Sequence, residues 1–298
     1  MRKRLMFITA GVAAAAIALA GCASGDAEPG STDAAGGSTP AFEVAKDVTI
    51  EGSPTFDKIS SAGKVRIGVK EDQPGLGYLD AATGERTGFD IQIATWIAAS
   101  LGVPADKIDF TAIPSANRES ALVNGDIDLY VGTYSITDKR KTQIDFAGPY
   151  FETGQGLLVA KDNTDIASEA DLAGKTVCSV TGSTPLQNIN DNFPDTKTVP
   201  FDTYSQCVDA LHDNKVDAVT TDQAILLGYA SLPDSGLKVV GKPFTTELYG
   251  VGLPKGDDAL RHFVNQMFTD GGATWTKIYD ATLGASGTKV GQPKVDDY

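Results

Sequence analysis

Two short patterns each occur twice in this chain, in the same order, and nothing else constrains its fold as much. "GKVRIGV" at 63–69 returns as "GKTVCSV" at 174–180, a glycine turn followed by an alternating strand. "ALVNGDIDLYVGT" at 121–133 returns as "ALHDNKVDAVTTD" at 210–222: a helix end, a polar turn, then Ile-Asp or Val-Asp opening a short buried strand. Each half therefore runs strand, helix, strand, helix, a pattern that favours parallel sheets covered by helices. In open sheets of this kind ligands bind beyond the carboxyl ends of the strands. Both repeats carry polar residues there, Thr133 and Ser135 in one half, Thr221 and Asp222 in the other. Two sheets facing each other across a cleft is the economical arrangement.

The segments before the first repeat read differently. "MRKR" is a positive n-region and "LMFITAGVAAAAIALA" (5–20) an apolar run short for a bilayer span. "LAGC" at 19–22 resembles a bacterial lipoprotein signal, which implies removal of residues 1–21 and a lipid on Cys22. Removal takes Arg2, Lys3 and Arg4 with it and moves the formal charge from −14 to −17. So acidic a chain does not suit nucleic acid, whose recognition starts from a basic footprint. Residues 22–41, Gly-rich and aperiodic, read as a flexible tether. The tail from about 284 lacks apolar periodicity and is expected to be loosely ordered. The two cysteines left after Cys22, Cys178 and Cys207, lie outside the cell on this reading and are expected to form a disulfide.

The helices between the strands are legible. "GFDIQIATWIAASLG" places Phe89, Ile93, Trp96, Ile97 and Leu101 on one stripe. Thr203 and Gln206 have the spacing of a capping box, and "DDALRHFVNQMFTDGG" opens on acids and stops on glycine.

The candidate cleft residues each carry a plain reading beside a functional one. In "TGSTP", Thr184 suits an N-cap and Pro185 the first helical position, making the helix start either an anion site or an ordinary capped helix. Arg140, in "SITDKRK", can grip a carboxylate bidentately or stay solvated like Lys139 and Lys141. Asp222 can hold an ammonium group or cap the following helix. Arg118 sits in the first turn of a helix, where a cation is unfavourable and either invites a bound anion or is one of the exposed arginines common at helix starts. Lys70 ends the first strand at the same carboxyl edge. Together these residues spell a carboxylate site, an ammonium site and a second carboxylate site, the charge pattern of an acidic α-amino acid.

From about residue 56 to 283 the chain resembles a polar amino-acid-binding protein of the ABC importer family, through "GFDIQIATWIAASLG", "GDIDLYVGTYSITDKRKTQIDFAGPYF" and "DLAGKTVCSVTGSTP". More narrowly it resembles actinobacterial glutamate-binding lipoproteins, through "GVKEDQPGLG", "PSANRESALVNG" and the cysteine pair in "CSVTGSTP" and "YSQCVDAL". The resemblance implies a two-lobed α/β fold of the type II periplasmic-binding-protein class, each lobe a mostly parallel sheet flanked by helices. Lobe I would comprise 42–152 plus 249–298 and lobe II 153–248, with crossings near 150–156 and 247–252. It also implies roles: Ser135 and Arg140 on the α-carboxylate, Ser183 and Thr184 as the opposing lobe's carboxylate donors, and the Thr133 carbonyl and Asp222 on the ammonium. Lys70 and Arg118 would take the side-chain carboxylate of L-glutamate or L-aspartate. The partners implied are membrane permease subunits, and the expected form is a lipid-anchored monomer on the outer face of the cell membrane, with no cofactor and no metal. One departure is that "QPGLGY" stands where many amino-acid binders carry a stacking aromatic, leaving Tyr78 as the available ring.

Two other classes compete. The fold also hosts dehydratases and hydrolases, and fold alone does not decide function. "AGKT" at 173–176 imitates the end of a phosphate loop, but Glu169 replaces the required earlier glycine. His212 and His262 are far apart, with no metal-ligand spacing and no nucleophile elbow. An amino-acid sensor domain would call for a transmembrane output segment.

Overall fold

The computed structural model describes residues 40–284 and 290–298. The expected leader (1–21), the lipidation site Cys22 and all but the last two tether residues lie outside them. One five-stranded sheet contains β1 (Val65–Val69), β5 (Ile108–Ala112), β6 (Leu129–Tyr130), β7 (Ile144–Thr153) and β13 (Glu247–Pro254), in the order β5-β1-β6-β13-β7. The other contains β8 (Gln155–Ala160), β9 (Thr176–Val180), β10 (Lys197–Phe201), β11 (Ala218–Asp222) and β12 (Leu237–Val240), in the order β10-β9-β11-β8-β12. A small antiparallel sheet of β2 (Asp72–Gln73), β3 (Gly77–Leu79) and β4 (Arg86–Thr87) follows β1.

The two orders correspond strand for strand, with β1 matching β9 and β6 matching β11, the strands of the two sequence repeats. β1 runs parallel to β5 and β6, and β9 parallel to β10 and β11. Each sheet admits one antiparallel strand, β13 between β6 and β7, and β8 between β11 and β12. Those are the strands delivered by a crossing from the other sheet. β7 passes through Gly154 into β8, within the expected 150–156. The return lies between Val240 and Glu247, slightly before the expected 247–252, because β13 already pairs with β7 from Glu247 onward. The crossings run side by side: Gln155 N–H donates to Thr245 Oγ1 at 2.9 Å, and a Cβ at Gly154 would lie 2.1 Å from the Thr245 carbonyl oxygen. Only glycine allows that approach.

Helices α1 (Pro54–Ala62), α2 (Phe89–Ser100), α3 (Arg118–Val123), α4 (Asp138–Lys141), α8 (Asp258–Asp270) and α9 (Gly272–Thr282) belong to the first half, and α5 (Thr184–Asn192), α6 (Tyr204–His212) and α7 (Gln223–Ala230) to the second. The predicted stripe of α2 is buried, and so are most of its other positions, because β1, β3, α8 and α9 enclose it. The Thr203–Gln206 capping box forms as expected.

Two expectations are corrected. The closing residues 290–298 are tied down, not loose. Asp297 accepts from Arg261, His262 and Asn265, Asp296 N–H donates to the Gly148 carbonyl, and the Tyr298 hydroxyl accepts the Phe146 N–H at 2.9 Å. Lys141 is not simply solvated, since its ammonium lies 3.7 Å from the centre of the Tyr298 ring. Lys139 is exposed, as expected.

Cys178 of β9 and Cys207 of α6 form the expected disulfide, with Cα atoms 5.4 Å apart and a sequence separation of 29. Replacing both by alanine should lower the unfolding free energy by about 3 kcal/mol in the chain-entropy picture. Urea titrations of the two proteins measure this, and coincident midpoints would contradict it.

Candidate functional site

The carboxyl ends of β1 and β6 face those of β9 and β11, and the polar residues beyond them converge. A cavity of about 10 Å³ is lined by Ser115, Arg118, Thr133, Ser135, Ser183, Thr184, Pro185, Tyr204, Asp222 and Ile225. It has room for about one water molecule. Six of the eight expected site residues meet there. Lys70 stands one hydrogen bond behind, its buried ammonium donating to Ser115 Oγ at 2.9 Å and to the Ile113 carbonyl at 3.2 Å. Arg140 lines the adjoining groove together with Ser115, Ser183 and Thr184.

Thr133 is the most constrained residue of the site. Its φ of 45° is left-handed, a conformation that a β-branched residue adopts only when its surroundings enforce it. Four bonds do so. Its N–H donates to Asp90 Oδ2 (3.0 Å), its hydroxyl to Gln73 Oε1 (3.1 Å), and its carbonyl accepts from Arg118 Nη1 (3.1 Å). Asp90 is fixed in turn by the Tyr150 hydroxyl at 2.8 Å. Burial pushes the Asp90 carboxyl up to about 6, against the two hydrogen bonds that favour its charge.

Arg118 is buried at the start of α3, with three carbonyl acceptors: Ser115, Thr133 and, at 3.4 Å, Gly182. Its guanidinium carbon lies 4.3 Å from the Tyr134 ring centre, and that of Arg140 lies 5.0 Å from the same ring. Arg140 pairs with Glu119 Oε1 at 2.9 Å and donates to the carbonyls of Ser135 and Gly182. Among the described residues, neither Lys70 nor Arg118 has a carboxylate within 4.0 Å. Burial first, then the Arg118 charge, depress the Lys70 ammonium to about 7.

Across the cavity, Asp222 occupies the N-cap position of α7 without capping it. Its Oδ2 accepts the Tyr249 hydroxyl at 2.6 Å, while its buried Oδ1 has no partner among the described residues. Burial and the nearby Glu247 push this carboxyl up to about 7. The cap of α5 is Ser183, whose hydroxyl accepts the Leu186 N–H. Thr184 is the first helical residue and Pro185 the second, one step earlier than expected. The Thr184 hydroxyl is thereby freed to meet Ser135 Oγ at 3.2 Å and Glu247 Oε2 at 3.0 Å. Tyr78 is turned away from the site, 38% exposed on its hairpin.

Sequence reasoning missed Gln73, Asp90, Ser115, Tyr134 and Tyr204. Asp90 carried a signal, an acid in the first turn of an otherwise apolar helix, and the others had none.

Two mirrored α/β sheets with charged residues gathered between their facing strand ends form the architecture of the type II periplasmic binding proteins. The chain belongs to the bacterial extracellular solute-binding proteins, family 3, whose model matches residues 65–284. It is 41% identical over 223 residues to the glutamate-binding protein GluB of Corynebacterium efficiens, covering 70% of this chain and 76% of that one. It is 39% identical over 221 residues to the glutamine-binding protein GlnH of Bacillus subtilis, covering 73% and 81%. Among solved structures, an ancestral arginine-binding protein bound to arginine matches with a TM-score of 0.69 at 36% identity, covering 74% of this chain and 99% of its own. These relatives are solute-binding proteins, and their family works with ABC permeases on amino acids.

The Asp90 carboxyl titrates higher in the folded chain than in the unfolded one, where it lies near 4. The folded form therefore binds the extra proton, and stability rises as pH falls from above 6 toward 4. Asp90→Asn should abolish that part of the slope, about 2 kcal/mol between pH 7.5 and 4.5. Unfolding free energies from urea titrations that change equally with pH in the two proteins would exclude the effect.

Proposed function

We propose that this chain is the extracellular capture protein of an ABC importer for an acidic amino acid, L-glutamate first and L-aspartate second. One observation carries the reading. Among the described residues, Lys70 and Arg118 are buried cations with no carboxylate partner; Arg118 lines the cavity that holds an unpartnered carboxylate oxygen of Asp222, and Lys70 stands one hydrogen bond behind it through Ser115. Such a site lacks two things, a negative group on one side and an ammonium on the other, and an acidic amino acid supplies both. The relatives include both glutamate and glutamine binders at comparable identity, so charge in the site, not overall similarity, favours the acid.

Roles follow from position. Asp222 Oδ1 and the Thr133 carbonyl take the α-ammonium, Ser135, Arg140, Ser183 and Thr184 the α-carboxylate, and Lys70 and Arg118 the side-chain carboxylate. The cavity is far smaller than any amino acid, so entry requires the sheets to part about the crossings at Gly154 and 241–246. A carboxylate would then take over guanidinium N–H groups that now point at the Gly182 carbonyl. Closure around the ligand creates the form a permease engages, and a lipid on Cys22 keeps the protein near that permease.

Glutamine would leave one of the two cations facing a neutral amide. Lys70→Met and Arg118→Met should each weaken glutamate binding by roughly 2–5 kcal/mol and flatten the preference over glutamine. Lys70→Met is the cleaner test, because Arg118 also supports Thr133. Calorimetry giving an unchanged glutamate-to-glutamine ratio in both variants would defeat the assignment.

Proton linkage offers a second test. A ligand carboxylate restores the proton on Lys70, and a ligand ammonium expels the one on Asp222. The two nearly cancel at pH 7 in the parent protein. Lys70→Met should leave net proton release, read as a dependence of binding enthalpy on buffer ionisation enthalpy. The same proton count in both proteins would rule this out.

A further inference from the structure

Asp72 begins β2 in the first half of the molecule, yet its carboxylate is bonded to the second half. Oδ2 accepts the N–H groups of Tyr204 at 2.8 Å and Ser205 at 3.2 Å, the first two residues of α6. The Tyr229 hydroxyl of α7 donates to the Asp72 carbonyl and lies 3.4 Å from Oδ2. A helix leaves its first N–H groups without internal acceptors. Thr203 supplies one for Gln206 within α6, and Asp72 supplies those for Tyr204 and Ser205 from across the cleft. A carboxylate also matches the positive end of the helix dipole. Beside it, α7 comes so near that a Cβ at Gly228 would lie 2.2 Å from the Pro74 carbonyl oxygen.

Asp72 and Tyr229 do not line the cavity, but the contact is mechanically joined to it. Tyr204, whose N–H Asp72 holds, lines the cavity itself. The helix that starts there is fixed to β9 through Cys207 and Cys178. Holding the start of α6 therefore holds the second sheet against the first.

We propose that Asp72 is a closing latch independent of the ligand, an affinity-determining residue that never touches the amino acid. This rests on the two-lobe clamp described above. When the lobes part, the Asp72 carboxylate and its donors return to water, so the latch adds to the closed population whatever the cleft contains. Apparent affinity scales with the closed fraction. Losing the latch must then weaken every ligand by the same factor, whereas losing Lys70 changes the ratio between ligands. A competing role for Asp72 is electrostatic, since its charge favours the protonated form of Lys70. In that role its loss would harm glutamate more than glutamine.

The test uses Asp72→Asn and Tyr229→Phe in the full chain with its disulfide intact. Spin labels are carried by unnatural amino acids at the exposed positions 107 and 197, at the outer ends of the edge strands β5 and β10. Without ligand, both variants should shift the distance distribution between labels to longer values. Glutamate and glutamine dissociation constants should both rise about tenfold with their ratio held. Unchanged ligand-free distances, or a loss confined to glutamate, would overturn the latch. Tyr229→Phe removes one hydroxyl only, so it decides the matter should Asp72→Asn unravel the start of α6. A parent protein that binds neither amino acid would defeat the acidic-ligand reading, while the ligand-free distances still report on the latch.

Discussion

Taking a charged side chain out of water costs several kcal/mol unless a counter-charge replaces the lost hydration. That constraint governs the centre of this molecule, where Lys70, Arg118 and Arg140 lie buried and, among the described residues, only Arg140 has a carboxylate, Glu119. The fold tolerates the other two by giving them carbonyls: Ile113 for Lys70, and Ser115, Thr133 and Gly182 for Arg118, with the face of Tyr134 beneath. Carbonyls and a ring face satisfy donors without cancelling charge. The pit therefore stays positive while its hydrogen bonds are met, which separates structural tolerance from chemical demand. The proposed ligand anion would answer the demand that the protein leaves open.

The backbone places that pit where two sheets confront each other. Each sheet is completed by a strand that arrives from the other, β8 in one direction and β13 in the other, so neither half is finished without a crossing. The crossings are confined to one side, pressed together at Gly154 and Thr245. The edge strands β5 and β10 lie at the opposite side, where a small change at the crossings is amplified. The Asp90–Thr133–Arg118 chain of bonds lies wholly within the first half, so parting the halves leaves it intact. Half of the site is thus preorganised, and the other half comes to it.

How much of this was written in the sequence depends on whether a feature is local. The repeats are local twice over, and they foretold sheets whose strand orders match. The capping box at Thr203 and the apolar stripe of α2 were legible for the same reason. The start of α5 lies one residue before the expected one, because Ser-Thr-Pro accommodates proline at the first or the second helical position and only the Leu186 N–H chooses. The tail read as loose because its anchors, Asp297 and Tyr298, act through isolated side-chain bonds that leave no periodic trace. Gln73, Ser115 and Tyr204 escaped because each becomes a site residue only when another segment arrives. Asp72 is the extreme case, an acid in a polar turn whose partner is a helix start more than a hundred residues away.

An acidic chain with a positive pit resolves the contradiction of its own composition. The formal charge of −14 spreads over a large surface, and salt at physiological strength screens such charges beyond about 8 Å. Charges inside the cleft are screened far less, since little water or salt reaches them. The surface charge thus contributes only weak repulsion at a distance. On the proposed reading the buried cations decide what stays once it has entered, because their field acts over a few ångströms through a poorly polarisable interior.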